Sequence, residues 1–464
     1  MAMARFSWGN PFTSSHPAPT VQSAGSSPLP DESAARTAHR PDSGQDAVGT
    51  KVQRPGRPPI NWRTNLYALF LSQLLAIVAF SLRAPFLPFF LGDLGLESTE
   101  QQAIWSGMIN AFGAGTMAIT APIWGIMADR YGRKPMLLRA QFAAFITIGL
   151  MGLATEPWHL LGLRMVEGMF TGTVTAATAL VATSMPRERL GFGLGLIQTA
   201  VFSGSALGPL VGGILADQAG YRATFGIASG MMLSGGLVTL FLVKENFTPQ
   251  SKSARVKAGG TSWRILLMPV LLGLTLVVIS VRFASSAVQP IMPLFVEELA
   301  GNLTSASSSL AGVTLGVLGV TSAISSVYFG RLGDRKGHRA ILLWCLLGSG
   351  LVYLPMALSQ HPWHLIALQA VFGVFAGGTI PAANAMIATV TDPQRRGAIF
   401  GLMASAAAIG GFIGPLAGAG LAASIGFRAT FVFCGVVLLA TVAVVLWTER
   451  HQRDREQPET VSTA

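Results

Sequence analysis

The sequence predicts an all-α integral membrane protein with about twelve transmembrane helices arranged as two parallel six-helix repeats. Three observations lead to this fold class: the chain is strongly apolar, its apolar residues form long runs, and its first half recurs in its second half. Of the 464 residues, 51% are hydrophobic and only 11% are charged, whereas about a quarter of the residues of a soluble domain are charged. A chain of this composition is expected to fold in lipid.

The apolar runs match the thickness of a bilayer. A helix needs roughly 20 apolar residues to cross about 30 Å of hydrocarbon. Helices are expected rather than a barrel, because the runs lack the short alternating segments of a membrane β-barrel. Counting runs between charged or turn-rich breaks gives about six spans in each half. Clear examples are residues 66–91, 137–154, 224–243, 265–279 and 429–447.

An internal repeat relates the two halves. The segment 125–135 recurs in altered form at 330–340, and Asp334 lies 205 positions after Asp129. An even number of spans per half leaves both copies in the same membrane orientation, as in transporters whose site lies between parallel repeats. The repeat therefore indicates transport. After one inserted residue the match continues at 206 positions, pairing Gly208 with Gly414 and Pro209 with Pro415.

The repeat also sets the predicted domain boundaries. Residues 1–60 are rich in Pro, Ser, Ala and Thr and lack a signal-peptide core, so we expect a disordered cytoplasmic tail. The halves are joined by a polar stretch that suits a flexible connector. The remaining predicted segments are a six-helix bundle at 61–244, a cytoplasmic linker at 245–264, a second bundle at 265–448 and a cytoplasmic tail at 449–464.

The net charge of +11 is distributed unevenly along the chain. Most Lys and Arg fall in the tails and in alternate loops, whereas the opposite loops carry acids such as Asp93, Asp217 and Glu297. This positive-inside pattern predicts that both termini and the long central loop lie in the cytoplasm. It argues against a nucleic-acid partner and places the basic loops beside lipid head groups. No metal site or disulfide is expected, because Cys345 and Cys434 lie in separate spans.

Four charged residues lie inside otherwise apolar spans, namely Arg83, Arg164, Glu167 and Arg282. Each costs about 2.5–3.5 kcal/mol at the centre of a helix on insertion scales, so each should have a partner or a function. Arg164 and Glu167 are three residues apart and can pair on one helix face. Glu167 is the one acid predicted deep in the membrane, which makes it the leading candidate for the proton carrier. A permanent ion pair that orients the fourth span is the alternative.

The repeated segment at 125–135 suits a latch between helices. Gly125 and Gly132 permit close approach and a tight turn, and Asp129 can accept hydrogen bonds from the free amides at another helix's start. A solvated basic turn that only fixes topology is the alternative. The other predicted latch residues are Arg130, Arg133, Asp334 and Arg335.

Three segments carry a resemblance to a known family. The run GIMADRYGRK at 125–134 resembles the loop signature of the major facilitator superfamily, and GSALGPLVGG at 204–213 is similar to its antiporter signature. The run RMVEG at 164–168 resembles a signature whose buried arginine is implicated in proton transfer in drug and proton antiporters. Two further stretches, INWRTNL at 60–66 and PFLPFF at 85–90, resemble bacterial multidrug-resistance exporters. The likeness covers everything after the first 60 residues and implies a location in the bacterial inner membrane. It implies the major facilitator fold and alternating access.

The antiporter signature also has a physical reading as a hinge in the fifth span. Pro209 removes one backbone donor, while Gly208 and Gly212 let a neighbouring helix come near. Gly414 and Pro415 repeat this pattern in the second half. Ordinary small-residue contacts between membrane helices are the alternative.

The resemblance implies that the first, fourth, seventh and tenth spans line the cavity. Arg83 and Arg282 lie in the first and seventh spans, where either can bind an anionic substrate group or keep Glu167 ionised. Snorkelling toward the head groups is the alternative for Arg83. Further candidate substrate contacts are Gln289 in the seventh span and Gln369 and Asn384 in the tenth.

The sequence thus predicts a transporter rather than an enzyme: a monomeric secondary carrier, without cofactors, that exports amphipathic drugs or toxic compounds against proton entry. A narrow exporter of one metabolite, such as a sugar or siderophore, shares every motif. A membrane sensor that does not transport is the alternative from another class. At the 205-residue offset, Gln369 and Phe372 replace Arg164 and Glu167, so the first half is predicted to carry the proton coupling.

Overall fold

The computed structural model describes residues 61–186, 189–247, 269–301, 307–391 and 396–456. These residues contain fifteen α-helices and no β-strand. The predicted tail at 1–60, residues 248–264 of the predicted linker and residues 457–464 lie outside the described residues.

Within each half, only a few residues separate one helix from the next. Those of the first half are α1 (Trp62–Leu82), α2 (Leu87–Asp93), α3 (Thr99–Tyr131), α4 (Arg133–Met151), α5 (Pro157–Phe170), α6 (Thr173–Ser184), α7 (Leu190–Ala219) and α8 (Tyr221–Leu242). Those of the second half are α9 (Pro269–Val288), α10 (Met292–Ala300), α11 (Ser307–Lys336), α12 (His338–Ala357), α13 (Pro362–Val390), α14 (Arg396–Ile425) and α15 (Phe427–Glu456).

Eleven stretches of the described chain are long and apolar enough to cross a membrane, and one of them, 157–184, comprises both α5 and α6. The 19-residue helix α4 is not among the eleven because Arg133, Lys134 and Arg139 fall at its start. With α4, the described helices account for the predicted number of about twelve spans. The prediction of an all-α membrane fold is confirmed.

The repeat is visible in how the helices pack. Phe90 packs on Phe225 with ring centroids 5.3 Å apart, and their counterparts Phe295 and Phe431 lie 5.1 Å apart. An arginine side chain donates a hydrogen bond to a carbonyl at a helix end, at equivalent positions in the two halves. Arg222 donates to the carbonyl of Gly152, and Arg428 donates to the carbonyl of Ala357.

The bundle has two chemically different ends. One, called here the acidic end, carries Asp93, Asp217 and Glu297, and the other, called the basic end, carries Lys134 and Arg335. Single glycines turn the chain between helices at both ends. At the basic end, Gly132 and its repeat partner Gly337 have φ values of 101° and 92°, a region that glycine adopts readily because it has no Cβ.

The two halves touch along two seams that lie toward the acidic end. In one seam α7 packs on α11, where Gly312 lies against the carbonyl of Pro209. In the other α3 packs on α14, where Gly107 lies against the carbonyl of Pro415. Both seams use the same repeat positions.

Toward the basic end, helices α3 and α11 carry exposed apolar side chains at matching positions. Ile119 and its repeat partner Ile324 are 73% and 68% exposed, and Ile123 and Tyr328 form a second exposed pair. The seams described above involve neither pair.

Candidate functional site

Three of the four predicted intramembrane charges meet in one cluster. Arg83 follows the last residue of α1, and Arg164 and Glu167 lie on α5. Arg83 Nη1 donates to Glu167 Oε1 at 2.9 Å, and Arg164 Nη1 donates to Glu167 Oε2 at 2.7 Å. The Glu167 side chain is fully buried. Each carboxylate oxygen therefore contacts its own arginine, and the three groups together carry one net positive charge.

Helix α3 makes room for this ion cluster. A Cβ at Gly113 would lie 2.8 Å from Arg164 Cγ, so a larger residue there would push the arginine aside. On the other helix, Gly168 lies against the Gly113 carbonyl and the Thr116 hydroxyl. Arg164 Nε has no hydrogen-bond partner among the described residues. The cluster thus lies where α3 and α5 are in close contact. The Arg164 Nε–H is a donor that no described residue uses.

Arg282 does not join the cluster. It lies on α9 with its Cβ beside Gly410 of α14, as Ile77 of α1 lies beside Gly204 of α7 in the first half. Its side chain is exposed and forms no hydrogen bond or ion pair with another described residue. Among the predicted cavity residues, Arg282 is the cation that has no partner in the described part of the chain.

The three predicted amides lie apart from one another. Gln369 on α13 is buried, with Nε2 3.6 Å from the sulfur of Met292. Its Oε1 has no hydrogen-bond partner among the described residues. Gln289, just after α9, and Asn384 on α13 are exposed. No hydrogen bond joins these amides in the described parts of the chain, so a shared role in substrate binding stays a prediction.

At the basic end the predicted latch segment meets a residue that the sequence did not single out. Glu245 follows α8, and its carboxylate accepts hydrogen bonds from the backbone N–H groups of Arg133 and Lys134 at 2.8–3.0 Å. These are the first two residues of α4, so Glu245 caps that helix. The side chain of Asn65 on α1 holds the preceding residue, Lys244: its Nδ2 donates to the Lys244 carbonyl and its Oδ1 accepts from the Lys244 N–H, each at 2.7 Å.

The other latch residues have local surroundings. Asp334 Oδ1 lies 3.3 Å from His338 Nε2 within the second half, and the Arg130 guanidinium lies 5.3 Å from the ring centroid of Tyr131. A Cβ at Gly125 would meet open space, so the expected close helix approach does not occur there in this conformation. The role of Asp129 at the end of α3, and of Arg335 with Asp334, as a latch between halves stays a prediction.

We expect Glu245→Gln to lower the stability of the protein by about 1 kcal/mol. The amide retains the reach of the carboxylate but loses the charge that favours a helix N-terminus, and losing a cap costs about 0.5–2 kcal/mol. The measurement is the apparent melting temperature in detergent. Glu298→Gln, at an exposed position of the acidic end, is the control. Equal melting temperatures for the two variants would show that Glu245 is not a stabilising cap.

The predicted hinge glycines lie in a tight contact between α1 and α7. Gly208 lies against Ser81, and the Leu82 carbonyl occupies the place that a Cβ of Gly212 would take. In the second half Gly414 lies against Ser286 in the same way. Helix α7 continues through Pro209 without a break, so in this conformation the segment is a packing surface, and bending there stays a prediction.

The same helix α7 carries the seam to the other half. Gly213 lies against the backbone of Ser308, and the carboxylate of Asp217 accepts a hydrogen bond of 2.8 Å from the N–H of Ser309. Asp217 thus caps the start of α11 across the boundary between halves. One face of α7 therefore packs within its own half, and another closes the acidic end.

This architecture matches a known family. Residues 69–302 and 274–463 match the family model described as Major Facilitator Superfamily. The chain belongs to the Major Facilitator Superfamily. As a member of that superfamily it is a transporter rather than an enzyme, and its apolar helices make it a multi-pass protein of the inner membrane.

Relatives within the superfamily cover almost the whole chain. It is 37% identical over 407 residues to the multidrug resistance protein MdtG of Serratia proteamaculans, which covers 88% of this chain and 99% of that protein. It is 38% identical over 400 residues to MdtG of Citrobacter koseri, with 86% and 98% covered. The predicted likeness to bacterial multidrug-resistance exporters is confirmed.

Solved structures of the superfamily share the fold. A bacterial homologue of the human lysosomal transporter Spinster, inward-facing and occupied, has a TM-score of 0.70 at 16% identity, with 85% of this chain and 98% of that chain covered. The human organic anion transporter MFSD10 has a TM-score of 0.61 at 20% identity, with 84% and 100% covered. At these identities the similarity shows the fold alone.

Proposed function

We propose that this carrier exports amphipathic drugs or toxic compounds in exchange for protons, by alternating access between its two halves. The observation that supports proton coupling is the ion cluster, in which the buried carboxylate of Glu167 contacts both Arg83 and Arg164. A carboxyl group can carry a proton in its neutral form, whereas the arginines stay charged. Drug export is supported by the relatives, which are named multidrug resistance proteins.

Protonation of Glu167 couples the proton gradient to a conformational change. A neutral Glu167 no longer balances the two guanidinium groups, so the net charge of the cluster rises from one to two. Unbalancing a buried ion pair costs about 3–5 kcal/mol, which favours a conformation in which Arg83 or Arg164 reaches water or substrate. Each proton that enters supplies about 2.3 kcal/mol per 100 mV. Loss of the proton to the cytoplasm restores the cluster and resets the carrier.

In this proposal the basic end and both termini face the cytoplasm. Lys and Arg concentrate at that end, in agreement with the positive-inside rule, and lie beside anionic head groups. The seams between halves lie toward the acidic end, whereas Ile119 and Ile324 nearer the basic end are exposed. The conformation described here is then the one that takes up substrate from the cytoplasm.

One chain is sufficient for transport in this scheme. The moving units are the bundles at 61–244 and 265–448, joined by the linker at 245–264. Arg282 supplies a second positive group to the cavity, because it has no counter-ion among the described residues. The remaining proposed substrate contacts are Gln289, Gln369 and Asn384.

Proton flux in liposomes tests the proposal. The purified protein is placed in vesicles that contain a pH-sensitive dye, a pH gradient is imposed, and four compounds are added in turn: ethidium, norfloxacin, chloramphenicol and fluorescein. They represent a cation, a zwitterion, a neutral molecule and an anion. We expect proton flux to rise with more than one of them. A response to one compound alone would favour a narrow exporter, and a response to none would contradict drug and proton antiport.

A further inference from the structure

The fourth membrane span is broken one turn after Glu167. Helix α5 ends at Phe170 and α6 begins at Thr173. Between them Gly172 has a φ of 137°, a backbone conformation that residues with a Cβ rarely adopt. Such a break leaves the last carbonyls of α5 without partners from the following helical turn. In a membrane these carbonyls must be satisfied by other groups.

Side chains from two other helices satisfy them. Trp124 of α3 donates from Nε1 to the carbonyl of Met169 at 2.5 Å, and Arg139 of α4 donates from Nη2 to the carbonyl of Phe170 at 3.1 Å. The Arg139 guanidinium carbon lies 3.4 Å from the centroid of the Trp124 ring. That ring lies 5.7 Å from the ring of Phe170. We call Arg139 and Trp124 the α5 clamp.

The two carbonyls that the clamp holds, those of Met169 and Phe170, follow Glu167 closely on the same helix. The carbonyl of Glu167 itself accepts a hydrogen bond of 2.8 Å from the Thr171 hydroxyl, so the last turn of α5 is held on three of its carbonyls. Arg139 has no acidic partner among the described residues. A cation without a counter-ion is costly in a membrane helix. An ordinary helix end does not require a cation.

The second half has neither the clamp nor the break. At the 205-residue offset, Trp344 replaces Arg139 and Phe329 replaces Trp124. The glycine is retained as Gly377, yet α13 runs through it without interruption. Gln369 and Phe372 replace the charged pair in the same helix. The clamp, the break and the charged pair therefore occur together in one half and are absent together from the other.

We propose that Arg139 and Trp124 are positioning residues for the proton site. They hold the end of α5, and with it the Glu167 carboxylate, at a fixed depth between Arg83 and Arg164 while α6 changes its angle at the break. The charged groups that face Glu167 are these two arginines, and the packed face of α3 presents Gly113 and Thr116. Because Glu167 is the proton carrier in the proposed function, this inference rests on that function.

Infrared spectroscopy of the full chain in lipid tests the geometry without any substrate. The carboxylate band of Glu167 is identified as the band lost in Glu167→Gln. We expect this band to shift or split in Arg139→Met, which keeps an unbranched side chain but removes the donors, and in Trp124→Phe, which keeps a ring but removes the N–H. Arg139→Lys retains a charged donor group and should shift the band less. Trp344→Met, at the repeat position, should leave it unchanged.

Transport provides the second readout, with the same four compounds in liposomes. For a compound that drives proton flux in the wild type, we expect the ratio of uphill efflux to energy-independent exchange to fall about tenfold in the clamp variants. The KM should change by less than about twofold. An unchanged band and an unchanged ratio in both Arg139→Met and Trp124→Phe would overturn the inference. If the wild type shows no coupled flux, the proposed function fails, and the infrared band still decides the positioning role.

Discussion

Replacing Glu167 with Gln is expected to reduce uphill efflux by about a hundredfold or more while leaving substrate exchange detectable. Gln has nearly the same size as Glu and its carbonyl can still accept from Arg83 or Arg164, but it can neither gain nor lose a proton. The carrier can then bind and exchange substrate but cannot use the pH gradient. The measurement is efflux against a concentration gradient, compared with counterflow at equal pH on both sides.

The stability of this variant needs its own control. Both carboxylate oxygens contact an arginine, so the neutral side chain leaves one buried and one partly buried guanidinium group without a counter-ion, at a cost of about 3–5 kcal/mol. Adding Arg83→Met removes one of these charges and should recover folding without recovering uphill efflux. Glu298→Gln, at the exposed acidic end, should behave as wild type. Uphill efflux within about twofold of wild type in folded Glu167→Gln would exclude this residue as the proton carrier.

The sequence was sufficient to predict the parts of the site that depend on local spacing. Arg164 and Glu167 are three residues apart on a helix, and that spacing places them on one face. The contact with Arg83 spans 84 positions along the chain. It depends on the tertiary arrangement that brings the end of α1 near α5, which no local pattern encodes. The sequence placed Arg83 near the cavity, and the structure adds that it binds the same carboxylate.

The break in the fourth span shows why the other parts of the site could not be predicted from the sequence. Gly172 and Gly377 are the same residue at equivalent positions, and only the first lies at a break. The break is found where two side chains on neighbouring helices, Arg139 and Trp124, donate hydrogen bonds to the carbonyls that it frees. Glu245 could not be predicted for a similar reason. In the sequence it is the first residue of a polar linker, and it caps α4 only because the end of α8 lies beside the start of α4.

Gly312→Leu is expected to hold the acidic end of the carrier open. In the α7–α11 seam a Cβ at Gly312 would overlap the Pro209 carbonyl and lie 3.3 Å from Gly213 Cα. These are backbone atoms of a packed helix and cannot move aside as a side chain can. The seam therefore cannot close around a leucine. Each half retains its own helix contacts, so the protein should fold, whereas a transport cycle that requires closure of this end should slow by about tenfold or more.

Accessibility of the seam distinguishes an open acidic end from a folding defect. A cysteine placed at Ser308, which is 1% exposed, should react with a membrane-impermeant maleimide about tenfold faster in Gly312→Leu than in the parent. The native Cys345 and Cys434 are buried and give a low background. Gly420→Leu is the matched control, because a Cβ there meets open space.

The repeat supplies an independent test of the same mechanism. A side chain at Gly107→Leu meets the Pro415 carbonyl in the other seam, so this variant should give the same faster maleimide reaction and the same loss of transport. Two seams built from equivalent residues must open and close together if the halves move as units, so blocking either one is sufficient to stop the cycle. If Gly107→Leu and Gly312→Leu both transport at the rate of Gly420→Leu, closure at the acidic end is not a step in transport.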